Sequence, residues 1–171
     1  MLQTLNQPEY ITATIKNWNH LLKEDENKVL ILDVMRNLVL DDKVEVYAFC
    51  IMSNHIHLIW HLSDKTKVSE IRKYFFENTA KKFKSKLEKE NSELLEKFKS
   101  TQKDRVFHFW KRRPLAIELF AKVVFEQKLN YIHENPVKAG LVKNAIDYRF
   151  SSAKFHETGI DEFKILSNYE G

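Results

Sequence analysis

Cysteine is almost missing from this chain: Cys50 is the only one in 171 residues. It has no partner for an intrachain disulfide and no companions for a cysteine-rich zinc site, so the sequence suits a reducing cytoplasm. Glycine and proline are scarce as well, at three each. Gly140 and Gly159 stand alone, which excludes the phosphate-cradling patterns G-x-x-x-x-G-K-[ST] and G-x-G-x-x-G, and with them P-loop or Rossmann nucleotide chemistry. The longest apolar run, Val46 to Met52, is far short of the roughly 20 residues that span a bilayer. The start, MLQTLNQPEY, lacks a basic segment followed by an apolar one, so no Sec-type signal is expected.

What is present is an ordinary globular composition, 43% hydrophobic and 30% charged, sufficient for one domain with its own core. We expect that domain over 1–154, with a charged arm or insertion at 90–104 and an acidic tail at 155–171. The net charge of +4 conceals an uneven distribution. Residues 105–154 carry 10 basic against 4 acidic side chains and residues 55–104 carry 12 against 8, whereas both ends are acidic. The positive half suits a polyanion, although a solvated basic helix face has the same composition.

Periodicity supplies the elements. Tyr10 to Lys16 alternates with β-branched residues and predicts a strand. Acidic residues at 24–26 precede a helical apolar pattern to about residue 40, the favourable order for the helix dipole. Lys43 to Met52 and His55 to Leu62 predict a hairpin turning at Ser53 and Asn54. A long amphipathic helix follows over 67–89. Val106 to Trp110 is a short strand candidate, and Ile117 to Glu134 predicts a helix stopped by Pro136, which disfavours helical geometry in the residue before it. The chain after Gly140 reads as irregular. The order is that of an α+β domain with a mainly antiparallel sheet, and its first elements match the ferredoxin-like βαββαβ arrangement.

Two clusters could do chemistry. Alternation along a strand puts His55 and His57 on one face, with Cα atoms about 6.6 Å apart. Two imidazoles at that spacing can converge on one divalent ion, or simply be surface or hydrogen-bonded histidines. His61 shares the face but is about 13 Å from His57, too far for the same ion. Ile56, Leu58, Trp60 and Leu62 form the opposite, apolar face, so the histidine face is expected to be accessible. On the last helix, Phe125, Leu129 and Ile132 form the buried stripe, Tyr131 lies off it, and Asn135 stacks one turn beyond Tyr131. This pair fits a nucleophile beside a metal ligand, and equally an amphipathic tyrosine before an Asn-Pro stop. His133 projects away from Tyr131.

Taken together, MSNHIHLIW (Met52 to Trp60), FWKRRPLAIEL (Phe109 to Leu119), YIHENPVKAGLV (Tyr131 to Val142) and DYRFSSA (Asp147 to Ala153) resemble the single-strand DNA transposases of the HUH superfamily. The similarity is to the REP-associated tyrosine branch of the IS200-like transposases, and it runs in order from Tyr10 to about Phe155. It implies an HUH-type fold, Tyr131 as nucleophile, and His55, His57 and Asn135 as ligands of a divalent cation, Mg²⁺ or Mn²⁺. It also implies cleavage and rejoining of single-stranded DNA through a 5′-phosphotyrosine, at hairpin-forming palindromic repeats. One departure is Ser53, where that family commonly has proline before the Asn-His pair; altered turn rigidity with unchanged chemistry is expected. For DNA contacts, Trp110 is the expected base-stacking aromatic and Lys111, Arg112, Arg113, Lys138, Lys143 and Arg149 the expected phosphate contacts. Two other readings stay open: a catalytically silent single-stranded nucleic-acid-binding module derived from a transposase, and a metal-dependent phosphoester hydrolase. Whether Tyr131 acts within its own subunit or across a homodimer is not encoded in any motif.

Overall fold

The computed structural model describes residues 7–101 and 106–170. Its sheet has four strands, β1 (Glu9–Thr14), β2 (Val44–Ile51), β3 (His55–Leu62) and β4 (Leu115–Glu118), in the order β2-β3-β1-β4 with every neighbouring pair antiparallel. Helix α1 (Asp25–Leu40) connects β1 to β2, α2 (Val68–Lys89) connects β3 towards β4, α3 (Lys122–Lys138) follows β4, and α4 (Ala153–Thr158) is short. This is the expected ferredoxin-like arrangement.

Alternation along the strands sends side chains to two different layers. On one face Ile11, Ala13, Ile56, Leu58, Trp60 and Leu62 pack with Ile31, Leu32 and Met35 of α1 and Phe75 and Phe83 of α2. On the other, Tyr10, Ala48, Cys50 and Ile59 pack beneath Phe125 and Ile132 of α3. Strand β2 changes phase at a bulge between Val46 and Ala48. Val46 therefore faces α1 and α2, as do Phe49 and Ile51, three and five residues later. An extra residue in one strand shifts the side-chain parity in this way. The histidine face, expected to be accessible, is thus roofed by α3.

Three expectations need correcting. Residues 106–110 do not form a strand of the sheet; β4 lies later, and its last two residues, Ile117 and Glu118, fall where the last helix was expected to begin. The pattern Leu115-Ala116-Ile117-Glu118 carries no clear period, and what makes it a strand is the open edge of β1, against which it pairs from Glu9↔Glu118 to Thr12↔Leu115. Residues 109–111 instead extend the same edge past β1: Lys16 N donates to Phe109 O at 2.7 Å and Lys111 N to Thr14 O at 2.7 Å.

Helix α3 also runs through Pro136 to Lys138. Proline removes the amide that would reach the carbonyl four residues back and crowds that carbonyl with its ring, and here both effects fall in the last turn. The ring is buried. Gly140, at φ +71°, then closes the helix in the left-handed region that glycine tolerates. Finally, the chain after Gly140 contains α4 as well as loops.

The charged stretch 90–104 lies outside the described residues over 102–104, but its earlier part is anchored. Leu94 and Leu95 pack against the core, and Phe98 is fully buried, stacked on Phe109 with ring centroids 4.7 Å apart. Phe98→Ala should cost about 3–5 kcal/mol, read as a lowered midpoint of denaturant unfolding. A loss below about 1 kcal/mol would mean the segment is dispensable to the core. The acidic segment expected as a tail also returns to the sheet: Ser167 N donates to Val46 O at 2.8 Å, and Tyr169 stacks on Phe125 at 4.0 Å.

Candidate active site

Register places the site. Thr12 pairs with His57 and Thr14 with His55 across β1 and β3, so Tyr10, Thr12, His55 and His57 share the face below α3. The turn before His55 is tied down: Ser53 Oγ is 2.8 Å from His20 Nδ1, and Ser53 O accepts from Leu22 N at 2.9 Å. A side-chain hydrogen bond thus restrains the turn at the position where proline was the expected residue.

His57 is 4% exposed. Its Nδ1 is 3.0 Å from both Tyr10 Oη and Thr12 Oγ1, and Thr12 Oγ1 in turn donates to Tyr10 Oη at 3.0 Å. Its Nε2 is buried with no hydrogen-bond partner. An unpaired buried nitrogen is costly, and the cost is relieved if a lone pair at Nε2 meets a cation while Nδ1–H donates into the Tyr10–Thr12 pair. Histidine ligands are commonly oriented by such a partner on the second nitrogen. Burial lowers the His57 pKa to about 4, with the neighbouring His55 adding to the effect, the Asn135 carboxamide opposing it and Lys128 reinforcing it. The ring is therefore neutral at pH 7, the state that ligates metal.

His55 stands beside it, ring centroids 4.9 Å apart, with Nδ1 2.7 Å from Asn54 Oδ1. A donating Nδ1–H leaves the lone pair on Nε2. Burial lowers the His55 pKa too. Tyr131 comes down from α3 with its ring edge-on to His57 at 5.5 Å and to Tyr10 at 6.5 Å, yet it remains 45% exposed. Because α3 does not stop at Pro136, residues 128, 131, 135 and 138 recur on one helix face. Lys128 and Lys138 each hold Nζ 5.8 Å from the Tyr131 ring centroid, and Asn135 Nδ2 donates to Tyr131 O at 2.7 Å.

A cleft of about 520 Å³ opens beside this group, lined by Tyr10, Thr12, His57, Lys128 and Tyr131 together with Lys111 and Arg113. Of the four residues singled out for chemistry, His57 and Tyr131 line this cleft, His55 adjoins His57, and Asn135 adjoins Tyr131 one turn on along α3. The expected DNA contacts divide. Lys111, Arg113 and Lys138 are at the site, and Arg112 lines the adjoining groove along α2. Lys143 is exposed beyond the end of α3 and is not among the residues lining the cleft. Arg149 is removed from the site: it pairs with Glu162 at 2.7 Å and lies over Phe150 and Phe163.

Trp110 does not offer a base platform; it is 5% exposed, its Nε1 donates to Thr79 Oγ1 at 2.9 Å, and its ring packs on Phe76. Its aromatic neighbours Phe107 and Phe109 signalled a core cluster as much as a binding surface. Lys128 was overlooked although it is one turn before Tyr131 on the same face. Tyr10 and Thr12 were beyond reach without the β1–β3 register.

His133, correctly separated from Tyr131, holds Ser152 Oγ at 2.9 Å from Nε2 beside His156. Burial, and then the proximity of His156, lower its pKa to about 4. The unfolded chain, with histidine near 6.5, binds more protons than the folded one between about pH 4 and 6.5. Stability therefore falls as pH drops through that window. Thermal unfolding should show a falling Tm from pH 7 to 5, with a shallower fall in His133→Asn; an equally steep fall in that variant would remove His133 from the account.

This is an α+β architecture with a four-stranded antiparallel sheet and a basic cleft beside a tyrosine and a histidine pair. The chain belongs to the IS200-like transposase family, whose model matches residues 10–135. No curated protein matches it. Among solved structures it is similar to a REP-associated tyrosine transposase bound to a REP hairpin, with a TM-score of 0.60 and 19% identity, covering 97% of this chain and 88% of that one. It is also similar to a protein of Deinococcus radiodurans described as a candidate transposase, with a TM-score of 0.51 and 14% identity, covering 74% of this chain and 88% of the other. At these identities the likeness concerns the fold. None of the helices among the described residues is long and apolar enough to cross a membrane.

Proposed function

We propose that this protein is a metal-dependent endonuclease and strand transferase that cleaves and rejoins single-stranded DNA through a 5′-phosphotyrosine on Tyr131, at hairpin-forming palindromic repeats. The observation that carries the reading is the exposed Tyr131 ring set edge-on over the buried, half-satisfied imidazole of His57, in a cleft lined by lysine and arginine. The solved structure with a hairpin bound supports the choice of substrate.

Among the described residues no group of three His, Cys, Asp or Glu side chains is placed to hold a metal ion, so the donor set would be His55, His57 and the carboxamide of Asn135. The orphaned Nε2 of His57 fits that role. Two imidazoles and an amide oxygen with open positions suit Mn²⁺ or Mg²⁺. When bound, such an ion polarises a phosphodiester oxygen and stabilises the charge developing on it.

The chain's own residues do the rest. Tyr131 Oη attacks phosphorus, the bond to the 3′ oxygen breaks, and that oxygen takes a proton and leaves as a free hydroxyl. The 5′ phosphate stays on Tyr131 as a diester, so a later 3′ hydroxyl can attack it and regenerate the tyrosine without nucleotide hydrolysis. Lys128 and Lys138 place positive charge on either side of the attacked group. The contact of Tyr131 with His57 of its own chain supports a reaction in cis.

The test is incubation with Mg²⁺ or Mn²⁺ and single-stranded oligonucleotides that carry hairpin-forming imperfect palindromes taken from the DNA around the gene. A protein–DNA adduct that survives denaturing electrophoresis is expected. Cleavage by water with no adduct at any time would favour the hydrolase reading, and binding without cleavage the silent module.

A further inference from the structure

Of the three tryptophans, Trp60 is fully buried and Trp110 nearly so, whereas Trp18 is 59% exposed. An isolated exposed aromatic needs no explanation by itself. Trp18 differs in how it is held. It lies at φ +56° directly after Asn17 at φ +55°, and a bulky side chain in the left-handed region is a true outlier that persists only where the surroundings impose it.

Those surroundings belong to the active site. Asn54 Nδ2 donates to Trp18 O at 3.4 Å while Asn54 Oδ1 sits 2.7 Å from His55 Nδ1, so one carboxamide joins the Trp18 backbone to the histidine pair. From the other side, the backbone pairing of residues 109–111 with 14–16 brings Lys111 Nζ to 4.9 Å from the Trp18 ring centroid. Lys111 also lines the cleft that contains His57 and Tyr131.

We infer that Trp18 is the platform on which an unpaired DNA base stacks at the mouth of the cleft, with Lys111 taking the phosphate between that base and the cleavage point. The inference rests on the proposed function and assigns to Trp18 the role that Trp110, being buried, does not fill. Every base presents a π-face and duplex DNA presents none at mid-strand, so stacking here selects single strands with little dependence on sequence.

The experiment uses the full chain in chelator, where no cleavage proceeds, titrated with a mixed-sequence 20-nucleotide single strand and with the same sequence as duplex. Because the other two tryptophans are buried, acrylamide-accessible emission reports Trp18. The single strand should quench it and the duplex should not. Trp18→Ala should abolish the DNA-dependent change and weaken single-strand binding about tenfold, leaving the salt dependence as in the parent. Trp18→Phe should stay within about threefold of the parent. Lys111→Ala should instead reduce the slope of affinity against salt by the equivalent of about one charge.

Parent-like single-strand affinity in Trp18→Ala, no DNA-dependent change in the parent's accessible emission, or equal quenching by duplex would overturn the inference. Should Trp18→Ala prove unstable, the quenching of the parent and the affinity of Trp18→Asn, which tolerates the left-handed backbone and offers no ring, decide in the same way. The two readings fail separately: an adduct on Tyr131 with parent-like affinity in Trp18→Ala sinks only the platform, and the expected quenching without any adduct sinks only the chemistry.

Discussion

Tyr131→Phe should form no covalent adduct with DNA while folding and binding DNA as the parent does. The substitution removes one oxygen. Tyr131 is nearly half exposed, its ring meets those of His57 and Tyr10 near-perpendicularly, and the bond from Asn135 goes to its backbone carbonyl. Stability should stay within about 0.5 kcal/mol, as for exposed sites without special features. The chemistry has no such reserve, because the hydroxyl is the atom that becomes bonded to phosphorus.

The check is denaturing electrophoresis with 5′- and 3′-labelled oligonucleotides: the parent should retain the 5′-phosphate fragment and release the other, and the variant should do neither. Persisting adduct would point to another tyrosine. Tyr10, with its ring 6.5 Å from that of Tyr131, would be the first to examine. Its hydroxyl is committed to the His57–Thr12 triangle and its pKa is raised by burial. Tyr148 is a poorer candidate, since it donates to Ile51 O at 2.8 Å and burial raises its pKa further.

His57→Ala should bring the second-largest loss, eliminating measurable Mn²⁺ binding to the DNA-free protein and reducing adduct formation below detection. Of the two histidines, His57 is the one with an orphaned buried nitrogen, and its removal also strips Tyr10 and Thr12 of their shared partner. A graded control separates ligation from general disruption. Thr12→Val keeps the imidazole and removes one group that orients it, so metal affinity should fall about 10–100-fold and no further. Calorimetric titration of Mn²⁺ measures both, with Tm recorded to confirm folding. Parent-like Mn²⁺ affinity in His57→Ala would exclude this nitrogen as a ligand and with it the donor set of His55, His57 and Asn135.

The candidate site was legible where it depended on local repeats. A period of two puts His55 and His57 on the same face, and a period near 3.6 separates Tyr131 from the stripe of Phe125, Leu129 and Ile132; both follow from backbone geometry that neighbours do not alter. The hairpin and the helices at 25–40 and 68–89 emerged for the same reason. Proline 136 misled because a local rule states a preference in the preceding residue and not the terminus itself. One missing hydrogen bond in a final turn is a small cost beside the burial of the ring, and the extra turn brings Lys138 to Tyr131.

What the sequence by itself determined, then, was which faces of β3 and α3 carry His55, His57, Tyr131 and Asn135, and the order of most elements around them. Tertiary structure decided the rest. Strand β4 exists because β1 had an unpaired edge, and unpaired backbone groups on a sheet seek a partner whatever the period of the segment that supplies it. The same edge, extended past Thr14, carries Lys111 to Trp18. Burial of His57 needed α3 laid across its face, its orientation needed the β1–β3 register, and the exchange of Trp110 for Trp18 as the outward aromatic needed α2 packed over one and not the other. These are pairings between residues tens of positions apart, settled by the collective gain of closing the core, and no window of sequence contains them.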